Sequence, residues 1–333
     1  MNTLTVHSRA ARRPADAGRA RITVLAVGGT GESWIDDPRT EVTGMLSHVV
    51  ADLDDRFVGR WVGYPASYGP VPVRDGVSFA ESVSIGVERL LVAMTEADGP
   101  VVLIGYSQGC TVVRRVLGAM GSVVGGPALA HVLAVGLISD PERPHGSDPA
   151  LCGSGVAGDG PSVPDGLPLQ WISHPQDVIC NASVDSFVRD IADATAYLTL
   201  RDLATWAPRA AGEYLGHRFQ NATRTAFGSR QWRRDVDRLR TAGREILGYL
   251  PRINYRGRDY NLRGNRHTAY ATEPLARLRH EDYELTGCQI LAQWLQVQAT
   301  FAAPAKPDRP ARAPRSGATA AAGLESGKYL QAG

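Results

Sequence analysis

The sequence predicts an α/β fold in which helices cover both faces of a central parallel sheet. Short apolar runs at residues 22–27, 101–104 and 132–138 are typical of buried strands. Apolar residues with helical spacing begin at residue 79, between the first two runs, and at residue 112, between the second and third. Strands that alternate with helical patterns indicate parallel pairing with helices on both faces of the sheet.

Composition indicates a globular chain with a substantial core. The 333 residues are 43% hydrophobic and 21% charged, and the formal net charge of +2 does not indicate nucleic acid as a partner. The four cysteines are far apart and form no C-x-x-C motif for zinc or redox chemistry. No apolar run approaches the ~20 residues of a membrane span. Residues 1–20 carry no hydrophobic segment of a Sec signal peptide, so we expect synthesis in the cytoplasm without export by that route.

The remaining elements follow in order along the chain. Residues 60–65 predict a second strand that ends at a proline, and residues 145–168 predict a long loop rich in Gly, Pro, Ser and Asp. Such long loops usually border a site or are mobile. Residues 169–172 predict a last strand, and a final amphipathic helix precedes Phe301.

The pattern divides the chain into a core and an insertion. We predict that the α/β core comprises residues 21–182 and 251–302. Between them, residues 183–250 show helical stripes and no strand pattern, which predicts a helical insertion. Residues 1–20 and 303–333 have almost no apolar anchors, so we expect a disordered N-terminal arm and a disordered C-terminal tail.

Arginine is concentrated in the second half of the predicted insertion. Eight arginines lie between Arg218 and Arg244, against only Asp235 and Asp237. One interpretation is a solvated helical face. The other is a surface that docks on an anionic or polysaccharide structure.

Residues 105–109 carry the strongest chemical signal, Gly-Tyr-Ser-Gln-Gly. The motif lies between the predicted strand 101–104 and a helical pattern, which is the context of a nucleophile elbow. Side chains at the flanking positions of so tight a turn would clash, so glycine is needed there. Ser107 is therefore the candidate nucleophile, and a tight structural turn is the alternative interpretation.

Residues 28–33 form a glycine-rich loop directly after the first strand. The loop lacks the Lys-Ser/Thr ending of a Walker loop and the spacing of a dinucleotide fingerprint. Beside a nucleophile elbow it is better interpreted as half of an oxyanion hole. There the Thr30 N–H or hydroxyl and the Gln108 N–H would stabilise developing negative charge. An ordinary flexible turn is the alternative.

A serine nucleophile needs a base, and the base needs an acid that orients it. His267 follows a loop with two glycines and is preferred as the base to His217, within the insertion, and to His280, at a solvated helix start. Asp177 follows the last predicted strand, where the acid usually lies. It is preferred to Asp140, which ends an earlier strand.

The predicted site comprises five residues: Ser107, Asp177, His267, Thr30 and Gln108. Ser107 would attack an ester carbonyl while the histidine takes its proton, and water would then release the acyl group. This chemistry requires no metal and no organic cofactor. His174, three residues before the acid, is interpreted as an ordinary loop histidine.

Four motifs together resemble the cutinase-like serine esterases of the α/β-hydrolase superfamily. They are Gly-Tyr-Ser-Gln-Gly at 105–109, Gly-Thr-Gly-Glu at 29–32, Asp-Val-Ile-Cys at 177–180 and His-Thr-Ala-Tyr at 267–270. In that superfamily these positions are the nucleophile elbow, the oxyanion loop, the acid and the histidine. Secreted cutinases carry a signal peptide, a cysteine where this chain has Ser173, and an acid close to the histidine, whereas here ninety positions separate the two.

A cutinase-like core with a helical insertion between acid and histidine resembles the lysin B esterases of phages that infect mycobacteria and related actinobacteria. Asp-Pro-Glu-Arg at 140–143 also resembles that family, which argues against Asp140 as the acid. The resemblance implies hydrolysis of the ester between mycolic acids and arabinogalactan during host lysis. It also implies release to the envelope by a holin and a peptidoglycan lysin.

Two other functions are compatible with the sequence. One is an intracellular or envelope lipase or thioesterase with the same three residues. The other is a non-catalytic module that binds cell-wall glycan through its arginine-rich helices. The acyl-chain preference, the oligomeric state and a possible disulfide between Cys152 and Cys180 stay open at this point.

Overall fold

Five parallel strands form the central sheet of the protein. The structure is a computed structural model and describes residues 21–121, 131–216, 219–221, 232–262, 264–275 and 284–302. The strands are β1 Ile22–Val27, β2 Phe57–Trp61, β3 Val101–Tyr106, β4 Val132–Ile138 and β5 Leu169–Ile172. They pair in the order β2-β1-β3-β4-β5. The elbow strand β3 is therefore at the centre, with two strands on each side.

Seven helices and a small hairpin complete the described part of the chain. The helices are α1 Met45–Ala51, α2 Phe79–Thr95, α3 Gln108–Gly121, α4 Phe187–Thr195, α5 Leu203–Leu215, α6 Trp232–Tyr249 and α7 Gly287–Phe301. The antiparallel hairpin consists of β6 Ile253–Tyr255 and β7 Arg258–Tyr260, and a 3₁₀-helix spans Arg266–Ala271. Among the described helices, none has the length and apolarity to cross a membrane.

Both faces of the sheet are covered by helices, so the predicted fold class is confirmed. In β1, Val24 and Ala26 belong to one apolar cluster, whereas Leu25 and Val27 belong to another. The first cluster is completed by α1 and α7, and the second by α2 and α3. Strands buried on both faces must be apolar at successive positions, which explains the unbroken apolar runs of the sequence.

Two features of the core differ from the prediction. The second strand was predicted at residues 60–65, but β2 is Phe57–Trp61. It is an edge strand, and the exposed Val58 and the polar Arg60 interrupt the apolar pattern that would have marked its start. Helix α1 was not predicted, because it has only 7 residues and no capping side chain of its own.

The predicted insertion is helical where the structure describes it, since α4, α5 and α6 all lie within residues 183–250. The hairpin of β6 and β7 lies in the segment assigned to the core, yet it pairs with no strand of the central sheet. Residues 1–20 and 303–333, predicted to be disordered, lie outside the described residues.

One arginine of the basic segment is structural rather than solvated. Arg238 is 3% exposed. Its guanidinium lies 3.3 Å from the Asp190 carboxylate and 4.0 Å from the ring centroid of Phe187, so it fastens α6 to α4. Arg240, by contrast, lies on the exposed face of α6 with Asp237 at 3.4 Å. The arginines of the basic segment whose side chains the structure describes are therefore divided between packing and solvent.

All four cysteines are free. Cys180 is buried, whereas Cys152 is exposed. The disulfide that the sequence left open is not formed.

A substitution at Gly109 tests whether the close approach between β1 and the elbow requires glycine. A Cβ at this position would lie 2.0 Å from the Val27 carbonyl oxygen, a backbone atom that cannot move aside. We expect Gly109→Ala to lower the free energy of unfolding by about 2 kcal/mol or more. Urea denaturation measures the change.

Gly243→Ala is the matched control, because a Cβ at this α6 position meets nothing within 4 Å. Its expected effect is a gain of up to about 1 kcal/mol, from the higher helix propensity of alanine. Equal stabilities of the two variants would contradict the steric account of the elbow.

Candidate active site

Ser107 lies on the turn between β3 and α3, at the carboxyl edge of the sheet. Its φ is +52°, a left-handed conformation that is strained for a residue with a side chain. The Ser107 N–H donates to the Ile138 carbonyl at 2.9 Å, which ties the turn to the end of β4. A Cβ at Gly105 would lie 2.9 Å from the Cα of Cys110, so the turn closes only with glycine there. The backbone thus has the geometry of a nucleophile elbow.

The structure brings the three predicted catalytic residues together. The Ser107 Oγ lies 3.0 Å from the His267 Nε2, and the His267 Nδ1 lies 3.1 Å from the Asp177 Oδ2. Because an ionised carboxylate only accepts hydrogen bonds, we assign the imidazole proton to Nδ1. The Nε2 atom then accepts the hydrogen bond of the serine hydroxyl. This chain of contacts is that of a nucleophile, a general base and an orienting acid.

The Asp177 carboxylate is fully buried and surrounded by donors. Its Oδ2 accepts from the hydroxyls of Ser139 at 2.5 Å and Tyr270 at 2.7 Å, and its Oδ1 accepts from the Ile179 N–H at 3.1 Å. Burial by itself raises the pKa of Asp177, but the interaction with His267 and the hydrogen bonds outweigh it and lower the pKa to about 2. The acid is therefore ionised at neutral pH despite its burial.

Ser139 and Tyr270 support the acid and were missed by the sequence analysis. Ser139 directly follows β4 with a φ of +55°, and its Oγ also lies 3.0 Å from the His267 Nδ1. The Tyr270 hydroxyl accepts from the His174 N–H at 3.0 Å while it donates to Asp177. Tyr270 follows the base by three residues, and only this proximity could have indicated a role.

Two tyrosine rings contact the His267 imidazole. The Tyr106 ring stacks on one side, with a centroid distance of 5.2 Å and an interplanar angle of 25°. The Tyr249 ring, from the end of α6, lies at a centroid distance of 5.3 Å and an angle of 41°. The Tyr106 hydroxyl donates to the backbone carbonyl of His267 at 2.8 Å. The insertion therefore supplies one wall of the site.

The structure also brings Thr30 and Gln108 together. The Thr30 hydroxyl donates to the Gln108 side-chain oxygen at 3.4 Å, so the hydroxyl is engaged and the backbone N–H is the group available for an oxyanion. Within the described residues, neither the Thr30 N–H nor the Gln108 N–H has an acceptor. The Gln108 amide nitrogen donates to the Ser67 carbonyl at 2.9 Å, which fixes this side chain.

Glu32 holds the glycine-rich loop in place. Its carboxylate accepts from the Gly29 N–H at 2.7 Å and from the Met45 N–H, at the start of α1, at 2.8 Å. A carboxylate at a helix N-terminus is favourable because of the unpaired N–H groups there. Glu32 thereby ties the loop that carries Thr30 to a helix packed under the sheet.

Asp140, the alternative acid, serves another part of the structure. Its carboxylate accepts from the Trp171 indole N–H at 2.9 Å and from the Glu142 N–H at 2.9 Å, with the buried Arg114 at 3.4 Å. Burial raises the pKa of Asp140, and it also raises the pKa of Glu142 to about 7. This buried cluster anchors the long loop between β4 and β5 and makes no contact with His267.

His174, the described histidine nearest the acid in the sequence, does not take the role of base. His217 and His280 lie outside the described residues. His174 is 2% exposed, and its Nδ1 accepts from the Gln176 N–H at 3.0 Å. Burial lowers the pKa of His174 to about 4, so this imidazole is neutral at pH 7. Its position fits the interpretation as a structural loop histidine.

The described residues contain no group of three or more His, Cys, Asp and Glu side chains arranged to hold a metal ion. The candidate site consists of Ser107, His267 and Asp177 with their hydrogen-bond partners.

The sheet and the site together define the fold class of the protein. A parallel sheet with a serine on the turn after its central strand, and with a histidine and an acid on later loops, is the α/β-hydrolase fold. The family model described as the PE-PPE domain matches residues 58–149, which is under a third of the chain. The comparison with curated proteins gives no match.

Three solved structures illustrate the similarity to known folds. Lysin B from Mycobacteriophage D29 is 16% identical, with a TM-score of 0.41 over 83% of this chain and 99% of that chain. A cutinase-like protein from Cryptococcus sp. is 15% identical, with a TM-score of 0.37 over 61% and 96%. Trichoderma reesei cutinase is 21% identical, with a TM-score of 0.31 over 57% and 74%.

The buried imidazole of His174 makes the free energy of unfolding depend on pH. Its pKa in the folded protein, about 4, lies below the ordinary value of 6.5, so the unfolded chain binds the proton first as the pH falls. The folded state therefore loses stability between about pH 6.5 and pH 4, by on the order of 3 kcal/mol, and this loss is complete below pH 4. We expect His174→Asn, whose Oδ1 can accept from the Gln176 N–H, to remove that part of the pH dependence.

Unfolding free energies from urea titrations at several pH values test this expectation. His48→Asn, an exposed substitution on α1, should keep the wild-type pH dependence. If His174→Asn loses stability on acidification as steeply as the wild type, the conclusion that His174 is a neutral buried imidazole at pH 7 is wrong.

Proposed function

We propose that this protein is a serine hydrolase that cleaves carboxylic esters through an acyl-enzyme. The observation that carries the proposal is the 3.0 Å contact between the Ser107 Oγ and the His267 Nε2, on a strained turn at the carboxyl edge of the sheet. A structural turn would not need a buried acid behind the histidine, since a buried carboxylate is costly unless it is paired.

The proposed reaction begins when the His267 Nε2 takes the proton of the Ser107 hydroxyl. The serine oxygen attacks the ester carbonyl, and Asp177 stabilises the imidazolium that forms. The histidine then gives its proton to the leaving alkoxide, which departs as an alcohol. Water, deprotonated by the same imidazole, attacks the acyl-serine and releases the acid.

The negative charge of the tetrahedral intermediate needs donors that are already in place. In this proposal the backbone N–H groups of Thr30 and Gln108 supply them, because neither is used within the described structure. Removing one such donor from a hydrolase typically costs 10²–10³-fold in kcat. The Glu32 contacts keep the Thr30 donor in position before substrate arrives.

For the substrate, we propose the ester that joins mycolic acids to arabinogalactan, cleaved at the envelope of an actinobacterial host during phage-induced lysis. The sequence resemblance to the lysin B esterases and the long helical insertion support this choice. Exposed apolar side chains near the glycine-rich loop also suit a lipid acyl chain: Trp34 and Ile35 follow that loop, and Val71 and Val73 flank Pro72, which lies 3.7 Å from a Cβ at Gly31.

Covalent labelling tests the nucleophile. A fluorophosphonate should modify the wild type at Ser107 alone, as mapped by peptide mass spectrometry. Ser107→Ala should lose the label and at least about 10³-fold in the rate of p-nitrophenyl ester hydrolysis. Ser173→Ala is the control, because that hydroxyl is buried nearby with no partner in the described structure and should be dispensable for both. Labelling at a residue other than Ser107, or ester hydrolysis by the Ser107→Ala variant at the wild-type rate, would contradict the proposed mechanism.

A substrate comparison tests the finer proposal. Isolated mycolyl-arabinogalactan should release mycolic acids with the wild type and not with Ser107→Ala, measured by thin-layer chromatography of the extracted lipids. Cleavage of long-chain acyl-CoA or short esters alone would favour a lipase or thioesterase. Retention on the glycan with no hydrolysis of any ester would instead favour a binding module.

A further inference from the structure

The hairpin of β6 and β7 has one apolar and one polar face. Ile253 pairs with Tyr260, and Tyr255 pairs with Arg258. Because side chains alternate along a strand and cross-strand partners share a face, these four side chains lie on the same side of the hairpin. The opposite side carries the Asn254–Asp259 pair, joined by a hydrogen bond of 2.6 Å.

The apolar face of the hairpin is about half exposed and belongs to none of the buried apolar clusters of the described chain. Ile253, Tyr255 and Tyr260 are 55%, 58% and 49% exposed, and the neighbouring Leu262 is 68% exposed. Single exposed apolar residues are ordinary on protein surfaces, whereas several on one element indicate an interaction site. A two-stranded hairpin is also only marginally stable by itself, so a partner surface would stabilise it.

The hairpin is fastened to the segment that positions the base. The Asn261 side chain donates to the Leu247 carbonyl at 2.8 Å and to the Leu250 carbonyl at 3.1 Å, at the end of α6. The Arg252 N–H donates to the Asn265 side chain at 3.2 Å. Asn265 precedes the 3₁₀-helix that carries His267. A surface that seats on the hairpin therefore lies next to the candidate active site.

The charge on the hairpin indicates the chemistry of that surface. Arg258 shares the apolar face, and Arg256 lies at the tip, with its guanidinium 5.3 Å from the Tyr255 ring centroid. In the described part of the chain, neither guanidinium pairs with a carboxylate. Tyrosine and arginine beside an aliphatic side chain are typical of segments at a water–lipid boundary, where rings lie at headgroup level and arginines reach anionic groups.

We propose that this hairpin docks the protein on the surface of a lipid aggregate that carries anionic headgroups. Ile253, Tyr255 and Tyr260 enter the headgroup layer, and Arg256 and Arg258 pair with its acidic groups. The inference deepens the proposed function and rests on it in one respect: a lipid ester is presented in an aggregate, and the hairpin brings the site to it.

Vesicle co-sedimentation of the full chain tests the apolar face. The wild type should partition onto phosphatidylcholine vesicles that contain phosphatidylglycerol. A variant with Ile253→Ser, Tyr255→Ser and Tyr260→Ser should partition at least about 10-fold less, since it loses the apolar area that membrane insertion would bury. The matched control changes the polar face, Asn254→Ser with Asp259→Ser, and should partition like the wild type.

A second variant tests the charge. Arg256→Gln with Arg258→Gln should weaken partition onto the anionic vesicles by several fold and leave the weaker partition onto pure phosphatidylcholine unchanged. Added salt should reduce wild-type partition onto the anionic vesicles, because headgroup pairing is screened. Circular dichroism confirms that each variant is folded.

Two outcomes would overturn the docking proposal: wild-type protein that binds neither vesicle, or an apolar-face variant that binds as well as the wild type. A concentration-dependent dimer that the apolar-face variant abolishes, without vesicle binding, would assign the face to a second copy of the chain. Hydrolysis of a water-soluble p-nitrophenyl ester, measured in parallel, should be equal in all hairpin variants. A wild-type protein that does not hydrolyse this ester would refute the proposed function but not the docking surface.

Discussion

The candidate site depends on a carboxylate that has no access to solvent. An ionised Asp177 in the interior is tolerable only because protein donors replace its hydration, and these come from three separate segments. Ser139 directly follows one strand, the Ile179 N–H lies just beyond the acid, and Tyr270 lies 93 positions after the acid. Asp177 can therefore stay ionised in the interior only when these distant segments have packed together in the folded protein.

The same requirement explains why the region around the base is so constrained. The 3₁₀-helix supplies both the imidazole and the Tyr270 hydroxyl, so one short element provides two hydrogen-bond partners of the acid. Ser139 adopts a left-handed conformation to direct its hydroxyl into the same space. Backbone strain of this kind persists only where surrounding contacts determine the geometry. The donors of the acid thus fix the position of the base.

Local sequence patterns predicted the parts of the protein that local interactions determine. Nearly continuous apolar runs marked β1, β3 and β4, since strands buried on both faces favour apolar residues at successive positions. The glycines around Ser107 marked the turn. Edge strand β2 was predicted too late in the chain, because one side of it faces solvent and dilutes the pattern. Helix α1 left no signal, since its cap comes from Glu32, thirteen residues upstream.

The supporting residues of the site were beyond sequence reasoning for a related physical reason. Nothing near Ser139 in the sequence distinguishes it from any serine after a strand, and its role appears only when Asp177 and His267 are brought beside it. Arg238 is a similar case, because the charge pattern predicts a solvated face or a docking surface, and only the packing of α6 on α4 buries this side chain. Tertiary contacts decide such roles.

Two rings from unrelated parts of the chain determine what the imidazole can do. Tyr106 belongs to the central strand and Tyr249 to the last turn of α6, and the His267 ring contacts both. The stack with Tyr106 and the contact of Nδ1 with Asp177 oppose rotation of the imidazole about its Cβ–Cγ bond. In the proposed reaction, a proton taken up at Nε2 is therefore given up from the same position, to the oxygen that next lies beside it. Because Tyr249 belongs to α6, a tilt of that helix would change the packing around the imidazole.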